Sequence, residues 1–327
     1  MKLLLFNTNI AVRSALSKVM EGDEYVVLTD QENIFSLLQL LNYQNVILRF
    51  VRGDYSLKDL GKLKKAKDEI KQMFKEYNIE ELHYYHQAFG GFYNWIIYYA
   101  SKQNTAVLYQ RVFKRVEGEP SKTLKALKTK ILYSFLFKAD VEVIDVGGGH
   151  LSPRLTDSFK TNNGIIENLA TWNVDVIKRI GNDIAEKLNL SYSSEKVLLL
   201  TGSILSTGQV QEEEYEEKMG RLIESIGPER IICKCHPRFD DEIEIEKQLQ
   251  HIPSFVPMEL LISMFSVVIG YGSSVLLNAA DEGIVAISLI DFFSCRTKLR
   301  QTVLHNYFEG HKVSFIKNIE EIDKLTN

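Results

Sequence analysis

Cysteine is scarce: Cys233, Cys235 and Cys295 are the three in the chain. They are too few and too unevenly placed for a disulfide framework, so a reducing cytoplasm is the simplest setting. A metal site would need more ligands around Cys235 than His236 supplies, and none is expected. Long apolar runs are also missing. Nothing reaches the roughly 18 residues of a membrane span. The opening Met1-Lys2-Leu3-Leu4-Leu5-Phe6 turns polar at Asn7, too short for a secretory core and readable as a first strand. Charge of one sign is weak as well. Residues 1–150 hold 21 basic against 17 acidic side chains and residues 151–327 hold 18 against 26, giving +4 and −8 of the net −4. An imbalance this mild, without a recognisable motif, excludes nucleic acid as a partner. No internal repeat or low-complexity segment is present.

What is present is ordinary for a globular protein, at 45% hydrophobic and 25% charged residues, and 327 residues suffice for two domains. Apolar runs alternate with helix-like stretches. Lys2–Phe6, Val12–Met20, Tyr25–Leu28, Ile34–Leu41 and Val46–Phe50 are followed by a charged helix over Leu57–Tyr77, then Leu82–Tyr85, Tyr93–Ala100 and Ala106–Tyr109. A second series runs through Lys196–Thr201, Glu213–Ile226, Arg230–Cys233, Asp241–Leu249, Ser266–Ile269, Val275–Asp281 and Val285–Leu289. This β-α-β rhythm predicts an α/β protein of two doubly wound, Rossmann-like parallel sheets. The polar stretch Thr156–Asn163 reads as linker and sets a boundary near residue 165. The expected parts are residues 1–165, residues 166–301, and a tail, residues 302–327, that crosses back to the first domain.

Two polar clusters follow buried strands directly. Lys234-Cys235-His236-Pro237-Arg238 comes after Arg230–Cys233, and Gly270-Tyr271-Gly272-Ser273-Ser274-Val275-Leu276-Leu277-Asn278 comes after Phe265–Ile269. Open α/β sheets bind ligands at such strand ends. An imidazole, flanking cations, adjacent hydroxyls and a helix N-terminus can all donate to phosphate oxygens. Each also has a plainer use: His236 can pack at a strand end, and Ser273 and Ser274 can simply cap a helix. Gly270 and Gly272 would let backbone approach a ligand closely. Gly202 and Ser203, after Leu200-Thr201, form a small turn that either holds nucleotide or reverses the chain.

His-Pro paired with a downstream Ser-Ser resembles the donor half of bacterial two-domain sialyltransferases of GT-B type, most closely glycosyltransferase family 52. The resemblance implies two domains facing a central cleft, acceptor-binding residues 1–165 and donor-binding residues 166–301. It implies that His236, Ser273 and Ser274 hold the donor phosphate and that Glu259 grips ribose or base; Lys234, Pro237, Arg238, Gly202 and Ser203 are expected beside them on the donor side. In the first half the family carries two consecutive acidic residues and a glycine, one acid acting as base. Here Asp145 is followed by Val146 and Gly147, so Asp145 or, failing it, His150 takes that role. A positioned base contributes about 10²–10⁴-fold in rate.

Elsewhere in the first half, His86 and Gln87 follow the strand ending His83-Tyr84-Tyr85, and Asn9 follows the first strand. All three are expected at the acceptor side. Phe89, Phe92, Tyr93 and Trp95 either stack on a sugar or fill the core, and Thr8 or Asn9 can equally cap a helix. Residues 122–138 make a basic amphipathic helix with Leu124, Leu127, Ile131 and Phe135 on one face. Such a helix packs its apolar face into a domain, or lies on an anionic membrane.

The expected activity is therefore an inverting, metal-independent glycosyltransferase. It would move sialic acid or a related nonulosonic acid from a CMP donor to a glycan of capsule or lipooligosaccharide. CMP-sugar would be substrate rather than cofactor. The setting would be cytoplasmic, with peripheral membrane contact through residues 122–138. A teichoic-acid-type enzyme using CDP-polyols, with His86 or His150 as base, and a non-catalytic nucleotide-binding partner of glycan assembly are the alternatives.

Overall fold

Strands covered on both faces need near-continuous apolar sequence, and the runs that have it are the strands of the computed structural model. The structure describes residues 1–53, 55–85, 91–111, 120–137, 141–145, 151–155, 165–190, 195–201, 204–236, 242–294 and 298–322. The chain divides into two compact units, Met1–Val176 and Ile177–Asn327.

In the first unit β1 (Lys2–Leu5), α1 (Val12–Val19), β2 (Tyr25–Thr29), α2 (Glu32–Leu41), β3 (Val46–Phe50), α3 (Leu60–Glu76), β4 (Glu81–Tyr84), α4 (Gly91–Ser101) and β5 (Ala106–Arg111) alternate without a break. Then come α5 (Leu124–Phe137), β6 (Val141–Asp145), β7 (Leu151–Leu155) and β8 (Ile165–Leu169). The sheet order is β3-β2-β1-β4-β5-β8, every pair parallel. Leu3, Leu5, Val26, Leu28 and Leu82 meet Phe92, Ile96 and Phe74 in its core.

Helix α6 (Val174–Lys187) runs from the first unit into the second. Asn173 caps it, its Oδ1 accepting from the N–H groups of Asp175 (2.9 Å) and Val176 (3.2 Å). The second unit continues with β9 (Val197–Thr201), α7 (Glu212–Ile226), β10 (Ile231–Cys235), α8 (Glu244–Lys247), β11 (Gln250–His251), β12 (Val267–Gly270), α9 (Ser274–Asp281), β13 (Val285–Ser288), α10 (Lys298–Phe308) and β14 (Val313–Phe315). Its order, β11-β10-β9-β12-β13-β14, is again all parallel.

The two orders are the same pattern. The first strand stands third, the next two extend one way and the later three the other. The direction of winding therefore reverses between β1 and β4 and between β9 and β12, where crevices open beyond the strand ends.

Two segments are arranged differently from expectation. Ile165–Leu169, placed at the head of the second domain, pairs with β5 as the edge strand of the first sheet. The C-terminal segment, expected to cross back, supplies β14 against β13, and Ile316 and Ile322 join the second core. The three residues Val313 to Phe315 form a strand along the edge that β13 offers. Strand β6 stands outside the parallel sheet. It forms an antiparallel hairpin with β7, pairing Asp145 with Leu151. The expected linker, 156–163, lies outside the described residues.

Candidate functional site

At the C-terminal edge of the second sheet, β10, β9, β12 and β13 end side by side, which brings Thr201, His236, the turn Tyr271–Ser273 and Ser288 to one rim. The half-buried His236 is fixed there by its main-chain N–H, which donates to the Thr201 carbonyl at 3.0 Å. The turn after β12 is tied to β13: Ser288 Oγ donates to the Tyr271 carbonyl at 2.8 Å, and Leu289 N–H donates to the Gly270 carbonyl at 2.8 Å. Ser273 is the N-cap of α9, its Oγ accepting from the Val275 N–H at 3.2 Å, and Ser274, the first helical residue, is exposed. A hydroxyl pair at a helix N-terminus on a switch-point strand is the arrangement that suits phosphate oxygens.

The glycines of that turn serve packing. A Cβ at Gly270 would stand 3.0 Å from Leu200 Cβ, and one at Gly272 would stand 3.0 Å from Leu304 Cδ2. Their lack of side chains lets β12 lie against β9 and α10 against the turn, a use the close-approach expectation overlooked.

Lys234 is placed differently from its neighbours. Alternation along β10 turns it away from the core that takes Cys233, and its buried Nζ donates to the Pro253 carbonyl at 2.5 Å. Burial lowers its pKa to about 8, while the charges of Cys235 and Glu259 act in the opposite sense. The ammonium is thus committed to the segment after β11 and stands in the field of Glu259, which sits half-buried on the 3₁₀ turn Met258–Leu260. Pro237, Arg238, Gly202 and Ser203 lie outside the described residues.

On the other side of β9, beyond β10, a depression of about 630 Å³ is lined by Glu212, Glu213, Glu216, Glu242 and Glu244 with Lys247. Five carboxylates repel phosphate, so the phosphate-compatible part of the rim is the β12–α9 turn. Beneath it Cys233, Glu242 and His251 bring ligand-type atoms within 4.8 Å of one another. Each is already engaged. The Cys233 thiol lies 3.8 Å from Glu242 Oε1 and 3.4 Å from Thr201 Oγ1, and the His251 ring nitrogens lie 3.3 Å from Glu242 Oε1 and 2.9 Å from the Glu246 carbonyl. Burial pushes the Cys233 thiol up, favouring S–H over the thiolate a metal needs.

One constellation escaped the sequence. Asp291, just past β13, accepts from Gln301 Nε2 at 2.8 Å and lies 2.8 Å from His305 Nε2, both on α10. Leu304 of the same helix packs on Gly272, so this carboxylate-oriented imidazole belongs to the helix that flanks the serine turn. The spacing Gln301–His305, one helical turn, was the available signal.

In the first unit Asn9 opens the 3₁₀ turn Asn9–Ala11, its Oδ1 accepting from Asn33 Nδ2 at 3.2 Å. The preceding Thr8 occupies the cap position without a side-chain capping bond. Phe92, Tyr93 and Trp95 are core residues rather than a sugar platform. His83 is structural. Gln110 Nε2 donates to its Nδ1 at 3.2 Å, its Nε2–H therefore donates to Glu81 at 3.1 Å, and burial lowers its pKa. His86, Gln87 and His150, and the side chain of Asp145, lie outside what the structure describes.

No protein-family model matches the chain, and no curated protein matches it. Among solved structures, UDP-GlcNAc 2-epimerase from Methanocaldococcus jannaschii superposes with TM-score 0.51 at 15% identity, over 99% of this chain and 91% of that one. The fold is GT-B. UDP-GlcNAc 2-epimerase from Neisseria meningitidis bound to UDP-GlcNAc gives 0.48 at 13% identity over 99% and 91%. The glycosyltransferase SnogD from Streptomyces nogalater gives 0.46 at 11% over 100% and 91%. At these identities the likeness speaks for fold alone and does not single out glycosyltransferase family 52.

Proposed function

We propose that the protein is an inverting, metal-independent glycosyltransferase that moves sialic acid or a related nonulosonic acid from a CMP donor to a bacterial capsule or lipooligosaccharide acceptor. The observation that carries this reading is the pairing of His236, at the end of β10, with Ser273 and Ser274, at the start of α9, on either side of the central β9. Ser274 and the first turn of α9 meet the donor phosphate, and His236 donates to it as it departs. The acceptor hydroxyl attacks the anomeric carbon and gives its proton to Asp145 or, failing it, to His150. The glycosidic C–O bond forms as the bond to the CMP oxygen breaks, with the electron pair leaving on the phosphate. Such a reaction takes place in the cytoplasm, on acceptors held at the inner face of the membrane.

A second reading, a nucleotide-binding partner without turnover, is favoured by one specific observation. Asp145 stands on the β6–β7 hairpin, apart from the parallel sheet whose rim would present a base.

Release of CMP from CMP-sialic acid, without acceptor or added metal, tests both. Hydrolysis by the intact chain that is lost in His236→Ala supports the phosphate role, and loss in Asp145→Ala or His150→Ala identifies the base. CMP binding by calorimetry with no turnover selects the non-catalytic reading. Turnover of a CDP-polyol, or of UDP-GlcNAc, the sugar nucleotide for which the similar epimerase is named, replaces the donor.

A further inference from the structure

Helix α5 has two apolar faces, and the fold uses one. Ala126, Leu136 and Phe137 are buried in the first unit, with Leu132 and Tyr133 packed at the margin of that core. The Phe137 ring fills the space a side chain at Gly91 would take, since a Cβ there would come within 2.1 Å of it. Lys67 Nζ on α3 donates to the Leu136 carbonyl. These contacts fix the helix and its rotation about its own axis.

The opposite face is the one sequence pattern marked as apolar, and it points to water. Leu124 is 68% exposed, Leu127 54%, Ile131 60% and Phe135 64%. Spaced i, i+3, i+7 and i+11, they form a single stripe along the helix. The expectation that this stripe packs into the domain is overturned, because Phe137, Leu136 and Ala126 fill that place. Lys125 and Lys128 flank the stripe on one side and Lys130 on the other, all exposed, with exposed Lys122 ahead of the first turn. No Asp or Glu occurs from Ser121 to Phe137.

A contiguous row of four large apolar side chains is more than scattered surface hydrophobicity and marks an interaction face. A second copy of this chain would bring the same lysine rim against itself, and like charges would repel. Anionic lipid satisfies both components at once: the stripe enters the boundary of headgroup and acyl chain while the lysines sit among the headgroups. We propose that α5 docks this protein on anionic membranes, lying in the interface plane. Among the described residues no helix is long and apolar enough to cross a membrane, so the contact is peripheral. This surface makes no use of the donor site, and it stands whatever the sugar nucleotide.

The test is flotation of the full chain with vesicles of phosphatidylcholine, with and without phosphatidylglycerol. Flotation with the anionic vesicles that fades as salt is raised is the expected result. Lys125→Gln and Lys128→Gln should each weaken partitioning about fivefold. Leu127→Ser with Ile131→Ser should weaken it at least about tenfold at unchanged melting temperature, since both side chains are already in water. If that double variant unfolds, the salt dependence and the lysine variants still decide. Equal flotation of variants and intact chain, equal flotation with neutral vesicles, or none at all overturns the proposal. So does a dimer, seen by light scattering, that the Leu127→Ser, Ile131→Ser variant breaks while vesicles are ignored, which gives the stripe to a second copy.

Discussion

Lys234 keeps a titratable amine where water hardly reaches. Its pKa falls from the ordinary 10.5 to about 8 through burial, against the opposing charges of Cys235 and Glu259. The unfolded chain therefore binds more protons than the folded one between those values, and stability rises with pH across the window. Below about pH 8 the penalty is fully present, on the order of 3 kcal/mol at 1.36 kcal/mol per unit. Lys234→Met removes it but strips the Pro253 carbonyl of its donor, which costs about 1–3 kcal/mol. The two nearly cancel at pH 7. What differs is the slope: between pH 8 and 10.5 the native chain should gain about 2–3 kcal/mol on the variant in urea unfolding. Parallel curves would mean that the lysine is not depressed. The sequence offered Lys234 as a phosphate cation because it lies close to His236, yet its Nζ is taken by the Pro253 carbonyl, a partner that comes near only once the segment after β11 has folded. Ser273 was legible as a cap from its position alone. The Asp291–His305 pair was not, because the two come together only when α10 folds back beside β13.

Two helix glycines make opposite demands on their elements. In α6 a Cβ at Gly181 would stand 2.5 Å from the carbonyl oxygen of Leu260, a backbone atom that cannot swing aside. Gly181→Ala gains about 1 kcal/mol of helix propensity but must push away the 3₁₀ turn that carries Glu259, at a cost of about 1–3 kcal/mol. The overlap is severe enough that the net should be destabilising by about 1–2 kcal/mol in urea unfolding. In α7 a Cβ at Gly220 would meet nothing within 4 Å. Gly220→Ala should stabilise by up to about 1 kcal/mol. Gains at both positions would place α6 off the Leu260 turn.

Elements of this kind were readable to unequal degrees. The central strands β1, β2, β9, β10 and β12 lie where continuous apolar runs predicted them, because strands covered on both faces tolerate little polarity. Hairpin β6–β7 was not separable from a sheet strand, since Val141-Glu142-Val143-Ile144-Asp145 says nothing about its partner. Strand β14, three residues long, has no pattern of its own. The stripe on α5 was legible, but which face turns inward depends on Gly91 and Phe137.

At the scale of the whole molecule, each unit has its own core, one built on β1–β5 and the other on β9–β13. The probes divide with them. Both tryptophans, Trp95 and Trp172, belong to Met1–Val176, so their fluorescence follows the first unit, whereas far-ultraviolet circular dichroism follows both. A nucleotide held by His236, Ser273 and Ser274 binds the second unit and stabilises it by mass action, about 2.7 kcal/mol at a hundredfold excess over Kd. For a unit of this size that is a rise of roughly 5–10 °C. With saturating CMP the dichroism transition should move up by that amount while the tryptophan transition stays in place. A tryptophan transition that moves equally means that the units unfold as one or share the ligand. If neither moves, the rim of the second sheet does not hold CMP, and the donor assignment falls while the fold and the α5 surface stand.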